Sequence, residues 1–284
     1  MKQTYRVAGH AFEVKGNKAC MAAENIEGFK PFSCHEQPCQ FCITEADNPP
    51  LMETVTHTFV YEDVTCTFGC TKIGYLLTLK PANEEAFFLW NNKEENIVHV
   101  TGNWSLRLYR FGFWVGFGLM TLSKQTIAIH SSCIVCNGKA VLFLGESGTG
   151  KSTHTQLWRE HIPGARLLND DSPILRIEEG RVWAYGSPWS GKTPCYKNER
   201  YELAGCVRLS QARANEIRKL TTLQAYGAIH PSCPPSFAYN DELYDLVSHI
   251  IGEIISSTPI FHLACLPNKE AALLSYKTIM DENK

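Results

Sequence analysis

The stretch Gly145-Glu146-Ser147-Gly148-Thr149-Gly150-Lys151-Ser152-Thr153 follows directly on the apolar run Ala140–Leu144. A strand that feeds a Gly-rich loop, which in turn opens a helix, is the context a phosphate-binding loop requires. In such a loop, backbone N–H groups and the positive end of the helix, here beginning near Lys151, face an anion. Glycines at 145, 148 and 150 let the backbone turn tightly and approach that anion without a Cβ in the way. Lys151 supplies a point charge for the β/γ-phosphates and Ser152 a hydroxyl for Mg²⁺. A Gly-rich turn ahead of an ordinary helix is the competing reading. Spacing and context together favour a loop that binds a nucleoside triphosphate.

The rest of the composition sets limits on that reading. A chain of 284 residues is long enough for two domains, and 44% hydrophobic content is enough to fill a proper core. With a net charge of −2 and no long Lys/Arg run, nucleic acid has no electrostatic foothold. The opening residues MKQTYRVAGHAFEV contain no apolar core of signal-peptide length. The longest apolar stretch, Phe111–Leu122, is too short to span a bilayer and is broken by glycines. A cytoplasmic protein without membrane partners is the expectation.

Twelve cysteines in such a compartment should be free thiols or metal ligands rather than disulfides. The densest group, Cys34, Cys39 and Cys42 beside His35, has spacing that could ligate zinc, but no second Cys-x₂-Cys pair completes a site. Free, partly buried thiols are the preferred reading, with a structural metal as the alternative.

Along the chain, residues 1–110 read as a β-rich domain. Its strands are His57–Tyr61, Tyr75–Leu79, Ala86–Trp90 and Leu106–Tyr109, while the Pro-containing stretch Gly28–Pro50 reads as loop. Phe111–Lys124 is expected to be a helix joining this region to the nucleotide domain, residues 111–284. In the second domain, Ile127–Val135 and Ala140–Leu144 form a hairpin across Asn137-Gly138. A helix over Lys151–Glu160, a hairpin of Pro173–Ile177 with Arg181–Tyr185, and a strand over Tyr201–Leu209 follow. Asp241–Ser256, capped by Asn240, has a one-faced helical pattern. A second such helix over Asn268–Met280 is expected to turn Leu273, Tyr276, Ile279 and Met280 inward.

The loop alone does not identify a chemistry. No guanine-reading Asn/Thr-Lys-x-Asp motif and no Leu-Ser-Gly-Gly signature accompanies it. What accompanies it is His130, fifteen residues upstream in IHSSCIV, and the pair Asp170-Asp171, eighteen residues after Ser152. Adjacent carboxylates beside a metal–nucleotide complex repel unless metal or protons offset them. One of them should therefore meet Mg²⁺, and the other can accept the proton of an attacking hydroxyl as general base.

From Ile127 to Arg176 this ordering resembles the HPr kinase and phosphoenolpyruvate carboxykinase superfamily: a His-bearing strand, a hairpin, the GxSGxGK[ST] loop and a paired Asp. Gly186-Ser187-Pro188-Trp189-Ser190-Gly191-Lys192 resembles a segment of HPr-kinase-related proteins. The resemblance implies an α/β (α+β-like) fold with a mixed-sheet carboxykinase-like core behind the β-rich N-terminal domain. It implies ATP and Mg²⁺ as cofactors, with His130 either ligating a second divalent metal or acting as a base or phosphate contact. A satisfied core histidine is the alternative for His130. Metal ligands would come from Ser152, Asp170, Asp171 and His130, and catalytic groups from Asp170, Asp171, His130, Lys151 and Lys192. Lys192 would neutralise the transferring phosphoryl group or else be a solvated surface lysine. The implied activity is transfer of a γ-phosphoryl group to a hydroxyl, a serine of a protein or peptide. A small-molecule hydroxyl and a nucleotide-binding regulator with little turnover are the alternatives. The resemblance also admits a homo-oligomer. Trp189, His154 and His161 read as structural.

Overall fold

The computed structural model describes residues 1–35, 38–191 and 193–281. The fold is mixed α/β and is organised on two mixed sheets, of eight and nine strands. Strands β1 (Lys2–Val7) and β2 (His10–Lys15) form a hairpin, followed by α1 (Asn17–Asn25) and β3 (Phe41–Glu45). An antiparallel run follows: β4 (Thr54–Tyr61), β5 (Val64–Cys70), β6 (Tyr75–Pro81), β7 (Phe87–Asn92) and β8 (Ile97–Gly102). The run closes on the hairpin because β3 pairs in parallel with both β2 and β8. Pairing order is therefore β1-β2-β3-β8-β7-β6-β5-β4.

Helix α2 (Leu106–Thr121) covers this sheet. Its first turn, Leu106–Tyr109, corrects the strand expected there. The aromatic content of that segment suits a strand, but Leu108, Tyr109 and Phe113 share one helical face and are buried together. Gly112 lets the helix sit directly on β7, where an added Cβ would come within 2.6 Å of Phe87. The expected Gly28–Pro50 loop is also corrected in part, since it holds a 3₁₀ turn (Glu27–Phe32) and β3. β3 alternates Phe41 and Ile43 inward, a pattern too short to stand out beside the prolines.

The second sheet begins with β9 (Thr126–Ala128), β10 (Ser131–Cys136) and β11 (Lys139–Leu144), then α3 (Lys151–His161) and β12 (Arg166–Asp171). Next come β13 (Ile174–Glu178), β14 (Arg181–Tyr185), the long β15 (Arg200–Gln211), β16 (Glu216–Lys219) and α4 (Thr222–Ile229). The chain ends with α5 (Asp241–Ser257), β17 (Ile260–Cys265) and α6 (Lys269–Asp281). Ile127–Val135 is therefore two strands rather than one. β9 pairs with β13 at one edge, while β10 lies between β11 and β12. β15 pairs in parallel with β11 along one side; on the other it meets β14 at its start and β17 at its end.

Apolar residues of β10, β11 and β15 fill both faces of this sheet, as expected for strands covered on two sides. One face packs on α3 and α6 through Val141, Phe143, Trp158 and Ile279. The other, with Leu142, Leu144 and Cys206, joins a continuous core shared with the first sheet. α6 shows its inward face rotated from expectation: Ala271, Ala272, Ser275 and Ile279 are buried, while Leu273 is 41% exposed. Small residues allow α6 close to α3, and Ser275 Oγ accepts the Trp158 indole N–H at 2.9 Å and meets His154 Nε2 at 3.0 Å. Asn240 and Asn268 cap α5 and α6 as expected. Among the described residues, no helix is long and apolar enough to cross a membrane.

Contacts between the sheets are specific. His10 is fully buried, with Nδ1 2.7 Å from Gln40 Oε1 and Nε2 2.9 Å from Thr126 Oγ1. Arg176 donates to the Ala8 carbonyl at 2.8 Å. Gly28 lies flat against Pro188, where a Cβ would come within 1.9 Å of the carbonyl oxygen. Overpacking of that kind should cost about 1–3 kcal/mol in Gly28→Ala, whereas Gly227→Ala, on an open face of α4, should be neutral or stabilising. Denaturant titration of the two variants reads this, and an equal response would refute the tight approach at Pro188.

Burial holds the pKa of His10 and of His154 down to about 4, from an ordinary 6.5. Both are neutral in the native state, whereas the unfolded chain binds their protons below 6.5, so stability falls as pH drops from about 6.5 towards 4. Each should cost about 2 kcal/mol by pH 5 relative to pH 7.5. Urea titrations of the native chain and of His154→Gln at the two pH values test this, the variant showing the shallower loss.

Candidate functional site

β10 brings the site together. Its register sets Ser131 opposite Leu144 on one side and opposite Asp171 on the other, with Ser132 opposite Asp170. The end of β11, the Gly-rich loop and the Asp pair are thereby brought to the same end of the sheet. The loop runs from Gly145 to Gly150, with α3 starting at Lys151. Gly145, Gly148 and Gly150 have φ of +152°, +83° and +102°, values that L side chains rarely adopt. At Gly148 and Gly150 an added Cβ would meet nothing, so these positions face open space.

Among the described residues, the loop's backbone–backbone bonds are Thr149 N–H to the Glu146 carbonyl at 3.2 Å and His154 N–H to the Gly150 carbonyl at 2.8 Å. N–H groups of the first turn of α3 have no intrahelical partners and point outward. The Lys151 ammonium folds back over the loop, donating to the Gly145 carbonyl at 2.7 Å and the Glu146 carbonyl at 3.2 Å. Burial lowers its pKa and nearby Arg208 acts in the same direction, while Asp171 and Asp170 oppose them.

His130 occupies the break between β9 and β10, its N–H held by the Ser232 carbonyl at 2.7 Å. The break keeps its ring half exposed, which corrects the core-histidine alternative. Nε2 lies 3.2 Å from Lys151 Nζ and Nδ1 lies 3.1 Å from Asp171 Oδ1. A charged lysine can only donate, so this geometry suits the tautomer with Nδ1–H directed to Asp171.

The two aspartates differ sharply. Asp170 is 6% exposed and accepts from Ser132 Oγ at 2.5 Å and from Ser152 Oγ at 3.2 Å. Asp171 has a side chain 33% exposed and faces His130. Behind them, Gly191 N–H donates to the Asp170 carbonyl at 2.6 Å, and Ser190 bridges to Asp171. Asn169 anchors the same segment, donating to Ser187 Oγ at 3.2 Å and to the Trp189 carbonyl at 3.0 Å. Trp189 is buried, its N–H on the Arg110 carbonyl at 3.0 Å, and His154 is likewise internal. Lys192 lies outside the described residues.

The structure thus gathers His130, Lys151, Ser152, Asp170 and Asp171. Among the described residues, no group of three or more His, Cys, Asp or Glu side chains is arranged to hold a metal, and Cys34, Cys39 and Cys42 form no disulfide. Three contributors escaped the sequence reading. Ser132 stood in the quoted IHSSCIV without a role. Arg208 reaches the loop only through the β11–β15 pairing that sets it beside Leu144. Gln211 donates to the Gly148 carbonyl at 3.3 Å from the end of the same strand.

Comparison with solved structures adds a likeness. The chain is similar to a solved HPr(Ser) kinase/phosphatase. That structure, from Coxiella burnetii, aligns over 55% of this chain and 95% of its own at 13% identity, with a TM-score of 0.32. No protein-family model matches the chain, and no curated protein matches it. At that level of likeness, what the site does has to be argued from its own residues.

Removing the hydroxyl that Asp170 relies on should be costly, because a buried carboxylate loses a charge-assisted bond. Ser132→Ala should destabilise the fold by about 1.5–3 kcal/mol, and Ser132→Thr, which keeps the hydroxyl, by less. Equal unfolding midpoints for wild type and Ser132→Ala would show that the bond contributes nothing.

Proposed function

We propose that the chain is an ATP-dependent kinase that transfers the γ-phosphoryl group to a hydroxyl, a serine side chain of a protein or peptide. The observation that carries this reading is the convergence of Lys151, His130 and two unlike carboxylates at the mouth of one Gly-rich loop. A binding protein needs the loop and its lysine. It has no need of a second carboxylate held accessible by a histidine.

The residues suit MgATP. Loop N–H groups left free of internal backbone partners match triphosphate oxygens. Mg²⁺ is commonly held by one or two carboxylates together with substrate phosphates rather than by an all-protein cage. A Ser152–Asp170 pair within 3.2 Å fits that habit. MgATP, when bound, supplies the transferable phosphoryl group and part of the charge neutralisation.

The chain's own residues would do the rest. Asp170, fixed by Ser132, would orient the metal side of the site. Lys151 would exchange its loop carbonyls for phosphate oxygens, lending a cation that burial keeps poorly solvated and therefore strongly interacting. Asp171, accessible and adjacent, would accept the proton of the acceptor hydroxyl as general base. His130 would hold that carboxylate in place through Nδ1–H and could relay the proton onward.

Incubation with labelled ATP, Mg²⁺ and serine-containing proteins or peptides tests the reading. Asp171→Asn should lower transfer by about 10²–10⁴-fold while nucleotide binding, measured by titration with ADP, is kept. Lys151→Met should weaken binding itself. Undiminished transfer in Asp171→Asn would reject the general base, and failure of ATP to bind the native chain would reject the kinase.

A further inference from the structure

Beside the loop the second sheet carries two arginines with a histidine between them. Arg208 on β15 is paired with His262 on β17, which is paired with Arg218 on β16. Cross-strand partners project to the same face. Here that is the face opposite α3 and α6, since the alternate residues Val207, Leu209, Phe261 and Leu263 fill the core on the α3/α6 side. Few carboxylates offset the two arginines. Arg208 has Glu146 at 3.9 Å, a side chain 85% exposed, and donates to the Ala228 carbonyl at 3.4 Å. Arg218 donates to Gln224 Oε1 at 3.0 Å and, among the described residues, forms no ion pair. His262 meets Ser210 Oγ at 3.0 Å; Glu216 acts on it from β16, but burial, Arg218 and Arg208 all disfavour its proton. A surface built this way is short of negative charge, and it begins at the strand neighbouring the loop.

We infer that the row Arg208–His262–Arg218 receives acidic side chains of the acceptor, so that the substrate is an acidic peptide segment. This rests on the kinase reading and narrows it. Strands lie about 4.8 Å apart, so Arg218 stands roughly 10 Å beyond Arg208 and roughly 14 Å beyond the end of β11. An extended peptide advances about 3.3 Å per residue. Asp171 lies on β12, two strands to the other side of β11. A hydroxyl placed there stands about 14 Å from Arg208 and about 24 Å from Arg218. The peptide would therefore present acidic residues to the row about four to seven positions along. Arg208 would meet the nearer carboxylate, exchanging the exposed Glu146 for it, and Arg218 the farther one. Complementary charge of this kind selects partners and speeds encounter.

The test is fluorescence anisotropy on the full chain, without phosphoryl transfer. The probes are a labelled peptide with one serine followed by a run of glutamates and the same peptide with lysines instead. The glutamate peptide should bind, weakening as salt rises, and the lysine peptide should not. Arg218→Glu, at an exposed position away from the loop, should weaken glutamate-peptide binding by about tenfold or more and leave ADP binding unchanged. Circular dichroism of the variant checks that it is folded, and Arg218→Gln should give an intermediate loss. The inference falls if the glutamate peptide fails to bind below about 1 mM, or if native and Arg218→Glu chains bind it equally. A peptide that binds through the row yet is never phosphorylated would instead sink the kinase reading.

Discussion

A carboxylate as buried as Asp170 is stable only if donors surround it, and its two hydroxyl donors tie separate parts of the chain together. Ser132 comes from β10 and Ser152 from the first turn of α3, while Asp170 itself belongs to β12. The end of the Gly-rich loop, the strand beneath it and the strand beyond are thus linked through one anion. The placement of Asp171, one residue on and facing the other way, follows from strand alternation. His130 meets it from the break ahead of β10. Remove the buried acid and the accessible one has no fixed address.

The second sheet's hairpins, the Gly-rich loop and the two capped helices were legible in the sequence because each is a local signal. Asn137-Gly138 needs only its neighbours, and so do Asn240 and Asn268. The gathering of His130, Lys151, Ser152 and the Asp pair was expected from their order. What escaped was whatever depends on pairing between distant strands. Arg208 lies far from the loop in sequence, and nothing local marks it as the neighbour of Leu144. Ser132 differs from an ordinary buried serine only through its partner across the β10–β12 ladder.

The misread elements share a physical cause. Leu106–Tyr109 has aromatic side chains that suit strand or helix, and only packing on β7 decides between them. Ile127–Val135 is evenly apolar, so its pattern could not reveal that it serves two places in the sheet. The break that divides it leaves His130 open to solvent instead of burying it within a strand. In α6 a hydropathy reading favoured Leu273, whereas the close approach of α3 favoured the small face of Ala271, Ala272 and Ser275.

β15 joins regions otherwise far apart along the chain. Its first residues pair with β14, whose partner β13 carries the Arg176 that holds the N-terminal hairpin; its last residues carry Arg208 and Gln211. A strand laddered to β11 between these ends cannot slip at one end alone, because every side chain beyond the slip would change face. The N-terminal hairpin and the rim of the Gly-rich loop are therefore tied to opposite ends of one strand, whose register against β11 shifts once, across Ala204. A change of register at one end would have to be accommodated at the other.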